Sequence, residues 1–499
     1  MIQDLRNAIF ASRIYSLTLG KDLSTPWPSA PIIWSIPLSQ IVTENSFEWL
    51  IQLSSTDNPI SISDAQNHLS NWLAKNHLWH AESWRPESIS DRLTFSLTYF
   101  DVLCKNAPKG FKDEFTRSLN RQARHLFRVL SYARKHGDMF RISRGALFAT
   151  LYMKPFRKHL HNTIIGLLKD LPRNIYSDGG QLSRQPHLHL ESLGILIHIR
   201  EVLAVANIKQ PESLQDTIER MVSMLRTYLH KDGGLALFNG SSESSSDKTN
   251  QVLELTHSRA KAVASARHSG FFRITAQRSL ILFDVGTPVS SPLNAGHAGT
   301  LSFEFSVNRH RLIVNCGGLP ENNYLTESLR STAAHSTLTV YNTHSSDILP
   351  ISGFGTRRAH CFNVRRREDN RNVLVEACHN GYLDLFGLVH HRSIYLANDG
   401  LDLRGEDVLK ASRKTDYNFD IRFHLHPSIK ASLTKGGQSV LLQLPTGRGW
   451  RMRVSDYKLS LEESIYVGSG KIESTSQIVI SGHHTHQRTA IKWKIAREG

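Results

Sequence analysis

The sequence predicts a multidomain α + β protein, in which a helical region is followed by a region of antiparallel strands. The chain has 499 residues, more than a single hydrophobic core usually supports, so two domains are expected. Apolar residues recur at helical spacing in the first half of the chain and alternate with polar residues in the second half. Helices followed by strands favour separate domains, of which the second would be a sheet-on-sheet sandwich.

Residues 1–60 are predicted to form an extended arm, because four prolines interrupt any long helix there. These are Pro26, Pro28, Pro31 and Pro37. The first residues include early charges and no unbroken apolar stretch, so a secretory signal is not expected and the cytoplasm is favoured. No apolar run approaches the roughly 20 residues of a transmembrane helix.

Helical periodicity defines a second predicted segment over residues 61–250. Its clearest helix carries apolar residues at alternating steps of four and three after Pro211, namely Leu214, Ile218, Met221, Leu225 and Tyr228. Further helices are predicted near 115–130, 146–153, 160–171 and 186–204. The serine-rich stretch 240–250 is interpreted as a linker or an exposed loop.

Residues 251–499 have the two-residue period of strands. Leu301, Phe303, Phe305 and Val307 alternate with Ser302, Glu304 and Ser306, which predicts a half-buried strand. Turns are predicted at 398–400 and 435–437, where glycines follow polar residues. His297 and His335 lie just before strands, so loops could direct both imidazoles into a common space.

Charge and cysteine content restrict the classes of partner. Sixty Lys and Arg against 44 Asp and Glu give a net charge of +16, a field that attracts polyanions. The basic residues are spread along the chain apart from short clusters at 357–358 and 365–367, and no nucleic-acid-binding motif is present, so specific nucleic-acid binding is not predicted. Four widely spaced cysteines are typical of neither a disulfide scaffold nor a zinc ribbon, and they favour a reducing compartment.

Several strings resemble the heparinase II/III superfamily of polysaccharide lyases. The family pattern has a His-x-His-Ala-Asp run, a Leu-Ser-Phe-Glu strand, a strand ending in Asp-Pro-Gly and a later histidine. This chain has, in the same order, 295–299 (AGHAG), 301–304 (LSFE), 315–317 (NCG) and 330–337 (RSTAAHST). The resemblance implies an N-terminal incomplete (α/α) toroid of paired helices and a C-terminal antiparallel β-sandwich. Relatives of this kind are often exported, which would place the protein in the periplasm.

The resemblance also implies a chemistry, β-elimination next to a uronic acid. The family needs a group that neutralises the uronate carboxylate, a base for the C5 proton and an acid for the leaving oxygen. The string 178–189 (DGGQLSRQPHLH) is similar to the family motif that supplies the catalytic tyrosine, but Leu188 occupies the tyrosine position. The predicted catalytic residues are therefore His189, His187 and Tyr176, and the predicted substrate-binding residue nearby is Arg184.

Three further arginines are candidate substrate-binding residues. Arg141 and Arg144 follow Gly137-Asp138, the best available match to the family's Gly-Asn-His element, and could neutralise a uronate. Arg330 begins the string that contains the later histidine.

The resemblance implies a structural zinc on His297, Asn315 and His335, with no other cofactor required. Asn315 replaces the family's aspartate, and a neutral amide is a poorer zinc ligand than a carboxylate. The alternative is a direct hydrogen bond between His297 and His335. Ala295 and Gly299 replace the catalytic histidine and the aspartate of the family's run.

Two hypotheses of function follow. The first is a diverged lyase that acts on a uronate-containing acidic polysaccharide in a groove between the domains, with His187 or His189 in place of the missing tyrosine. The alternative is a catalytically inactive protein of glycan binding or envelope-polysaccharide assembly. Loss of the family's catalytic residues favours the alternative, and retention of the surrounding motif favours the enzyme.

Overall fold

The computed structural model of the chain describes residues 10–12, 15, 18–20, 30–32, 37–38, 42–56, 59–291, 293–319, 323–350 and 353–498. Much of the predicted arm over residues 1–60 lies outside the described residues; the described part contains the 3₁₀ helix Glu48–Ser54. No helix of the described chain combines the length and apolar character needed to cross a membrane. The compartment stays a prediction.

The helical region consists of consecutive helices, many of them amphipathic. In chain order they are α1 (Ile62–Lys75), α2 (Pro86–Thr98), α3 (Phe100–Cys104), α4 (Lys109–His136), α5 (Met139–Tyr152), α6 (Leu160–Asn174), α7 (Pro186–Val205), α8 (Glu212–Tyr228) and α9 (Ser246–Thr256). The five apolar residues that predicted α8 are all buried, and the helix begins directly after Pro211. Pro186 opens α7, as expected of a proline in the first helical position.

The structure corrects the prediction that the serine-rich stretch 240–250 is a linker or an exposed loop. Ser241 and Ser242 are buried. Ser245 is the N-cap of α9, and its side chain accepts a hydrogen bond from the backbone N–H of Lys248. Serine hydroxyls that bond to the backbone thus fix this segment, which composition alone could not reveal.

The strands form two antiparallel sheets. The first contains β1 (Ser265–Ala266), β2 (Phe271–Ala276), β3 (Ser279–Asp284), β4 (Phe303–Val307), β5 (His310–Val314), β6 (Leu338–Val340), β11 (Tyr417–Leu425), β15 (Leu459–Tyr466) and β16 (Glu473–His484). The second contains β7 (Cys361–Asp369), β8 (Asn372–Tyr382), β9 (Leu388–Leu396), β10 (Asp402–Ala411), β12 (Lys430–Leu433), β13 (Ser439–Gln443), β14 (Gly449–Val454) and β17 (Arg488–Arg497). Two short helices, α10 (Thr326–Arg330) and α11 (Leu383–Phe386), interrupt the strands. Both predicted glycine turns lie between consecutive strands, β9–β10 and β12–β13.

One apolar core joins the two sheets. Phe303 on β4 stacks against Trp493 on β17, with ring centroids 5.5 Å apart, and Phe305 meets Trp450 edge-on at 5.4 Å. Residues of β4 that were expected to face solvent are buried as well. Strand β4 is therefore buried on both faces. On the face that was expected to be exposed, the polar side chains of Glu304 and Ser306 bind His230.

The chain divides into two compact units. One comprises residues 1–174 and 191–218, and the other comprises residues 175–190 and 219–499. The change from helix to strand occurs between Thr256 and Ser265, near the predicted boundary at 250. The sheet-containing unit nevertheless includes the end of α8, all of α9 and the segment 175–190, so the boundary at 250 stays a prediction.

Candidate functional site

The segment 175–185, which precedes α7, is fixed to the first strands of the sheet-containing unit. The Asp178 carboxylate accepts hydrogen bonds from the backbone N–H groups of His268 and Ser269, each at 2.8 Å. Gly179 adopts φ 92°, a left-handed conformation that glycine tolerates because it has no Cβ. These contacts set the position from which α7 starts.

Arg184 is buried, and its guanidinium is engaged by the protein. Its Nε donates to the Ser269 carbonyl at 2.6 Å, its Nη1 donates to the Thr287 carbonyl at 3.1 Å, and its Nη2 pairs with the Asp284 carboxylate. The guanidinium carbon also lies 4.7 Å from the ring centroid of Phe271. The expectation that Arg184 faces a uronate is corrected here, because these bonds make it an anchor between loop and strands.

His187 is held at two points. Its backbone N–H donates to the Ser241 hydroxyl at 3.0 Å, and its Nδ1 lies 3.0 Å from the Ser242 hydroxyl. A side-chain hydroxyl thereby fixes the orientation of the imidazole. The residue is buried, and a hydroxyl contact at one ring nitrogen is a common way of orienting a histidine that transfers protons.

His189 lies inside the sheet-containing unit. Its Nε2 is 2.8 Å from the Met221 carbonyl, and since a carbonyl only accepts hydrogen bonds, Nε2 carries the proton. The ring packs edge-on against Tyr228, and burial lowers the pKa of His189 to about 4. A fully buried, neutral imidazole bonded to the backbone disfavours the predicted catalytic role of His189, which is corrected to a structural one.

Tyr176, the third catalytic candidate, is half-buried, and burial raises the pKa of its phenol. It lines a cavity of about 620 Å³ whose lining includes Arg184 but neither His187 nor His189. The structure thus separates Tyr176 from the two histidines, and its catalytic role stays a prediction.

The segment 239–242 connects the surroundings of His187 with those of His297. The Gln185 side chain donates to the Gly240 carbonyl at 2.6 Å, and the Asn239 side chain donates to the Arg184 carbonyl at 2.9 Å. A Cβ on Gly240 would lie 2.5 Å from Nε2 of His297, so glycine is required for this approach. The structure therefore places His187 and His297 around the same backbone segment.

His297 and His335 form a hydrogen-bonded pair. Nδ1 of His297 lies 3.2 Å from Nε2 of His335, and Nδ1 of His335 lies 2.7 Å from the Ser331 carbonyl. Burial lowers the pKa of His335 to about 4 and that of His297 well below its ordinary value, so both rings are neutral at pH 7. The predicted alternative, a direct bond between these histidines, is the arrangement present.

Asn315 belongs to a different network, around the buried carboxylate of Glu304. Its Nδ2 donates to Glu304 at 3.1 Å, and its Oδ1 accepts from the Ser336 N–H at 3.0 Å. The second carboxylate oxygen of Glu304 lies 2.8 Å from Nε2 of His230. An aspartate at 315 would bring a second negative charge beside Glu304, which explains the neutral amide physically.

These residues do not fit a tetrahedral zinc ion. Both nitrogens of His335 are occupied by hydrogen bonds, and the amide of Asn315 is bonded to Glu304 and Ser336. Across the described ranges, no group of three or more His, Cys, Asp or Glu side chains could hold a metal ion. The amide at position 315 thus serves the Glu304 network instead of completing a ligand set.

Arg330 supports the loop that carries His297. Its guanidinium donates to the carbonyls of Gly296 at 2.9 Å, Ala295 at 3.1 Å and Gly353 at 2.7 Å. The residue is buried. Its predicted substrate-binding role is corrected to a structural one, because backbone carbonyls occupy its donors.

Arg141 and Arg144 form ion pairs within the helical unit. Both pair with Asp91, at 2.9 and 2.7 Å, and Arg141 also pairs with Glu191 at 3.2 Å. Asp138 is the N-cap of α5 and accepts from the N–H groups of Phe140 and Arg141. These carboxylates already neutralise the arginines, so the predicted uronate-binding role is disfavoured and a structural role is supported.

Sequence reasoning missed two buried polar networks. One is the His230–Glu304 pair described above, and the other joins His390 and Arg392 to Asp407. Glu304 looked like a solvent-facing residue of an alternating strand. The signal that could have revealed these networks is weak, since His390, Arg392 and Asp407 are brought together only by strand pairing.

The helices, the two-sheet sandwich and the motif at 178–189 define the class of the protein as polysaccharide-lyase-like. The described residues match "Heparinase II/III N-terminus" over 47–261 and "Heparinase II/III-like, C-terminal" over 258–494. The chain therefore belongs to the heparinase II/III family, and the predicted fold class of toroid plus antiparallel β-sandwich is confirmed.

Solved structures and curated relatives agree with this assignment of fold. A heparan sulfate lyase from Pedobacter heparinus covers 93% of this chain and 78% of its own at a TM-score of 0.64 and 17% identity. A heparinase III structure gives a TM-score of 0.70 at 14% identity, over 91% of this chain and 75% of its own.

Among curated proteins, the chain is 27% identical over 475 residues to the FtsZ-localized protein C of Caulobacter vibrioides, covering 91% of this chain and 81% of that protein. It is 26% identical over 148 residues to a heparin-sulfate lyase of Bacteroides stercoris, covering 28% of this chain and 22% of that enzyme. The family and the fold favour a polysaccharide lyase, whereas the relative that matches most of the chain is named for FtsZ localisation.

Proposed function

We propose that this protein cleaves a uronate-containing acidic polysaccharide by β-elimination and that His187 transfers the proton. The observation that carries the proposal is the 3.0 Å contact between Nδ1 of His187 and the Ser242 hydroxyl. Among the three candidate proton-transfer residues, His189 is bonded to the backbone, and Tyr176 lines a cavity whose lining does not include His187. His187 also lies next to Leu188, which occupies the position of the family's tyrosine.

In this reaction the imidazole of His187 takes the C5 proton of the uronate, and the electron pair forms the C4–C5 double bond as the C4–O bond breaks. The same imidazolium then donates its proton to the departing oxygen, so the histidine returns to its neutral state. Ser242 keeps the ring in one orientation through both transfers. Proton transfer by a positioned residue contributes roughly 10²- to 10⁴-fold to a rate.

A second candidate function is recognition of the polysaccharide without cleavage. It is supported by Leu188 and Ala295, neither of which can transfer a proton at the two family positions that do so. The similarity along most of the chain to a protein named for localisation with FtsZ is compatible with a role as a recruited binding protein. In that case the lyase fold would serve to bind the polysaccharide and not to cleave it.

The test is the ultraviolet absorbance of the unsaturated uronate product, followed while the protein acts on a panel of uronate polymers. We expect absorbance with the unmodified protein, a loss of about 100-fold or more in His187→Gln, and a smaller loss in Ser242→Ala. His161→Gln is the control, because His161 is an exposed histidine of α6.

Two outcomes contradict the proposal in different ways. Full activity of His187→Gln would assign the proton transfer to another residue. Absence of product with every polymer, together with saturable binding to one of them, would support the second candidate function.

A further inference from the structure

The cavity of about 620 Å³ in the sheet-containing unit has a lining of one charge sign. Its lining includes five arginines and one histidine but no aspartate or glutamate. The basic residues are Arg184, Arg267, His268, Arg365, Arg366 and Arg367. A concave surface with one sign of charge concentrates the potential and attracts counter-ions or ligands of the opposite sign.

The arginines of this cavity differ in how far the protein neutralises them. Arg184 pairs with Asp284, and Arg366 pairs with Glu368 and donates to the Ala264 carbonyl at 3.2 Å. These two arginines are structural parts of the wall.

Arg267 and Arg365 are exposed, and neither guanidinium forms a hydrogen bond or an ion pair with another described residue. Arg367 reaches Glu376 only at 4.0 Å. At the mouth of the cavity, Arg267 and Arg365 therefore present guanidinium groups that form no ion pair within the described chain, although Glu376 lies opposite Arg365 in the pairing of β7 with β8.

The inner wall is partly apolar. Phe272 and Val285 are buried core residues that also line the cavity, and Tyr176 contributes a half-buried aromatic ring. Apolar walls with a few polar groups are typical of small-molecule sites. A pyranose ring with an acidic substituent matches this lining, because its C–H face can pack on the apolar wall while its anionic group binds an arginine fork.

We propose that this cavity binds an acidic sugar unit of the polysaccharide at a place separate from the His187 site. The inference rests on the proposed function for the class of ligand, an acidic polysaccharide. It does not depend on the reaction proposed at His187, since none of His187, Ser242 and His297 lines the cavity. Arg267 and Arg365 bind the anionic group, and Arg184 and Arg366 hold the wall in place. The site would retain one sugar unit of the polymer while another unit lies at His187.

The experiment measures binding without cleavage. The protein carries His187→Gln throughout, and the probe is a fluorescent hexasaccharide of hyaluronan, which alternates a uronate with an amino sugar, followed by anisotropy. We expect Arg267→Gln with Arg365→Gln to weaken binding by about tenfold or more, a change of about 1.4 kcal/mol, because each substitution removes a charge-assisted hydrogen bond to the anionic group.

The matched control is Arg413→Gln with Arg453→Gln. It removes the same charge from two exposed arginines outside the cavity, and we expect less than a twofold change. An equal loss in both double variants would overturn the proposal in favour of a diffuse basic surface. Unchanged affinity in Arg267→Gln with Arg365→Gln would also overturn it.

Two further probes identify the class of ligand. A neutral chitin hexamer should bind weakly, and a hexaglutamate peptide that bound as tightly as the hexasaccharide would replace the sugar with an acidic peptide and overturn the proposal. Failure of the His187 hypothesis can be distinguished from failure of this proposal. If His187 does not transfer the proton, the assay of product formation shows it, while binding still depends on Arg267 and Arg365.

Discussion

Two glycines decide where the guanidinium of Arg184 lies. Gly270 has φ 75°, and a Cβ built on it would collide with the backbone of Gly286. A Cβ on Gly286 would in turn collide with the Arg184 guanidinium. The buried anchor between the loop and the strands thus exists only because two positions lack side chains.

We expect Gly286→Ala to lower the free energy of unfolding by about 1–3 kcal/mol, because the added methyl group overpacks a buried site and displaces Arg184 from Asp284. Urea denaturation followed by tryptophan fluorescence measures the change. Gly449→Ala is the control, since its nearest neighbours would lie at an ordinary 3.5 Å, and it should change stability by less than about 0.5 kcal/mol. Equal effects in the two variants would contradict the role given to Gly286.

Single residues of the candidate site also show which roles could not be predicted from the sequence. The motif at 178–189 correctly indicated the family, while the match of Leu188 to the family's tyrosine position stays a prediction. Residue type, together with position in the strings that resemble the family pattern, assigned Arg184, Arg330, Arg141 and Arg144 to substrate. An arginine binds a substrate carboxylate or a protein carboxylate with the same chemistry, so only their observed partners separate the two roles.

Side chains from three neighbouring strands of the second sheet form a buried polar network. On β10, Asp407 lies 2.7 Å from Nε2 of His390 and 2.7 Å from Nε of Arg392, both on β9. Trp493 on β17 donates its indole N–H to Asp407 at 2.9 Å. Burial alone would raise the pKa of Asp407, but Arg392 and His390 hold it well below its ordinary value.

We expect Asp407→Asn to lower the free energy of unfolding at pH 7 by about 3–5 kcal/mol, because it leaves the buried charge of Arg392 without a carboxylate to balance it. The low pKa of Asp407 in the folded protein stabilises it at any pH above about 3.9, the pKa of an aspartate in the unfolded chain. This stabilisation is lost as the pH falls towards the pKa of Asp407 in the folded protein. The difference between variant and unmodified protein should therefore shrink in acid, as denaturation at pH 7 and pH 3.5 would measure.

Asp402→Asn on the same strand is the control for Asp407→Asn. Asp402 pairs with the exposed side chains of Arg404 and Lys494 near the surface, where ion pairs contribute about 1 kcal/mol or less. A loss as small in Asp407→Asn as in Asp402→Asn would show that the network contributes little to stability.

Across the whole molecule, many histidines are buried in the neutral form. In the sheet-containing unit, burial lowers the pKa of His189 and His335 to about 4 and that of His424 to about 3. The unfolded chain binds protons at these residues near pH 6.5, before the folded protein does. Stability is therefore full above pH 6.5 and falls as the pH decreases towards 4.

We expect the free energy of unfolding to decrease from pH 6.5 to pH 4.5, by up to about 1.4 kcal/mol per pH unit for each such histidine. Denaturant titrations at pH 7.5, 6.5, 5.5 and 4.5 measure the slope. His189→Gln should reduce it, whereas His483→Gln should not, because His483 is 71% exposed. A constant free energy over this range would contradict the burial of these imidazoles in neutral form.

The sequence by itself determined the order of helices and strands, the principal turns and the family. These follow from local periodicity, from glycine and proline positions and from strings of adjacent residues, all of which are present in the unfolded chain. Only the tertiary structure decided that His187 meets Ser242, that His297 meets His335 and that Asp407 joins Arg392. Those contacts join residues that are 55, 38 and 15 positions apart, and strand pairing and burial select them from many chemically equivalent alternatives.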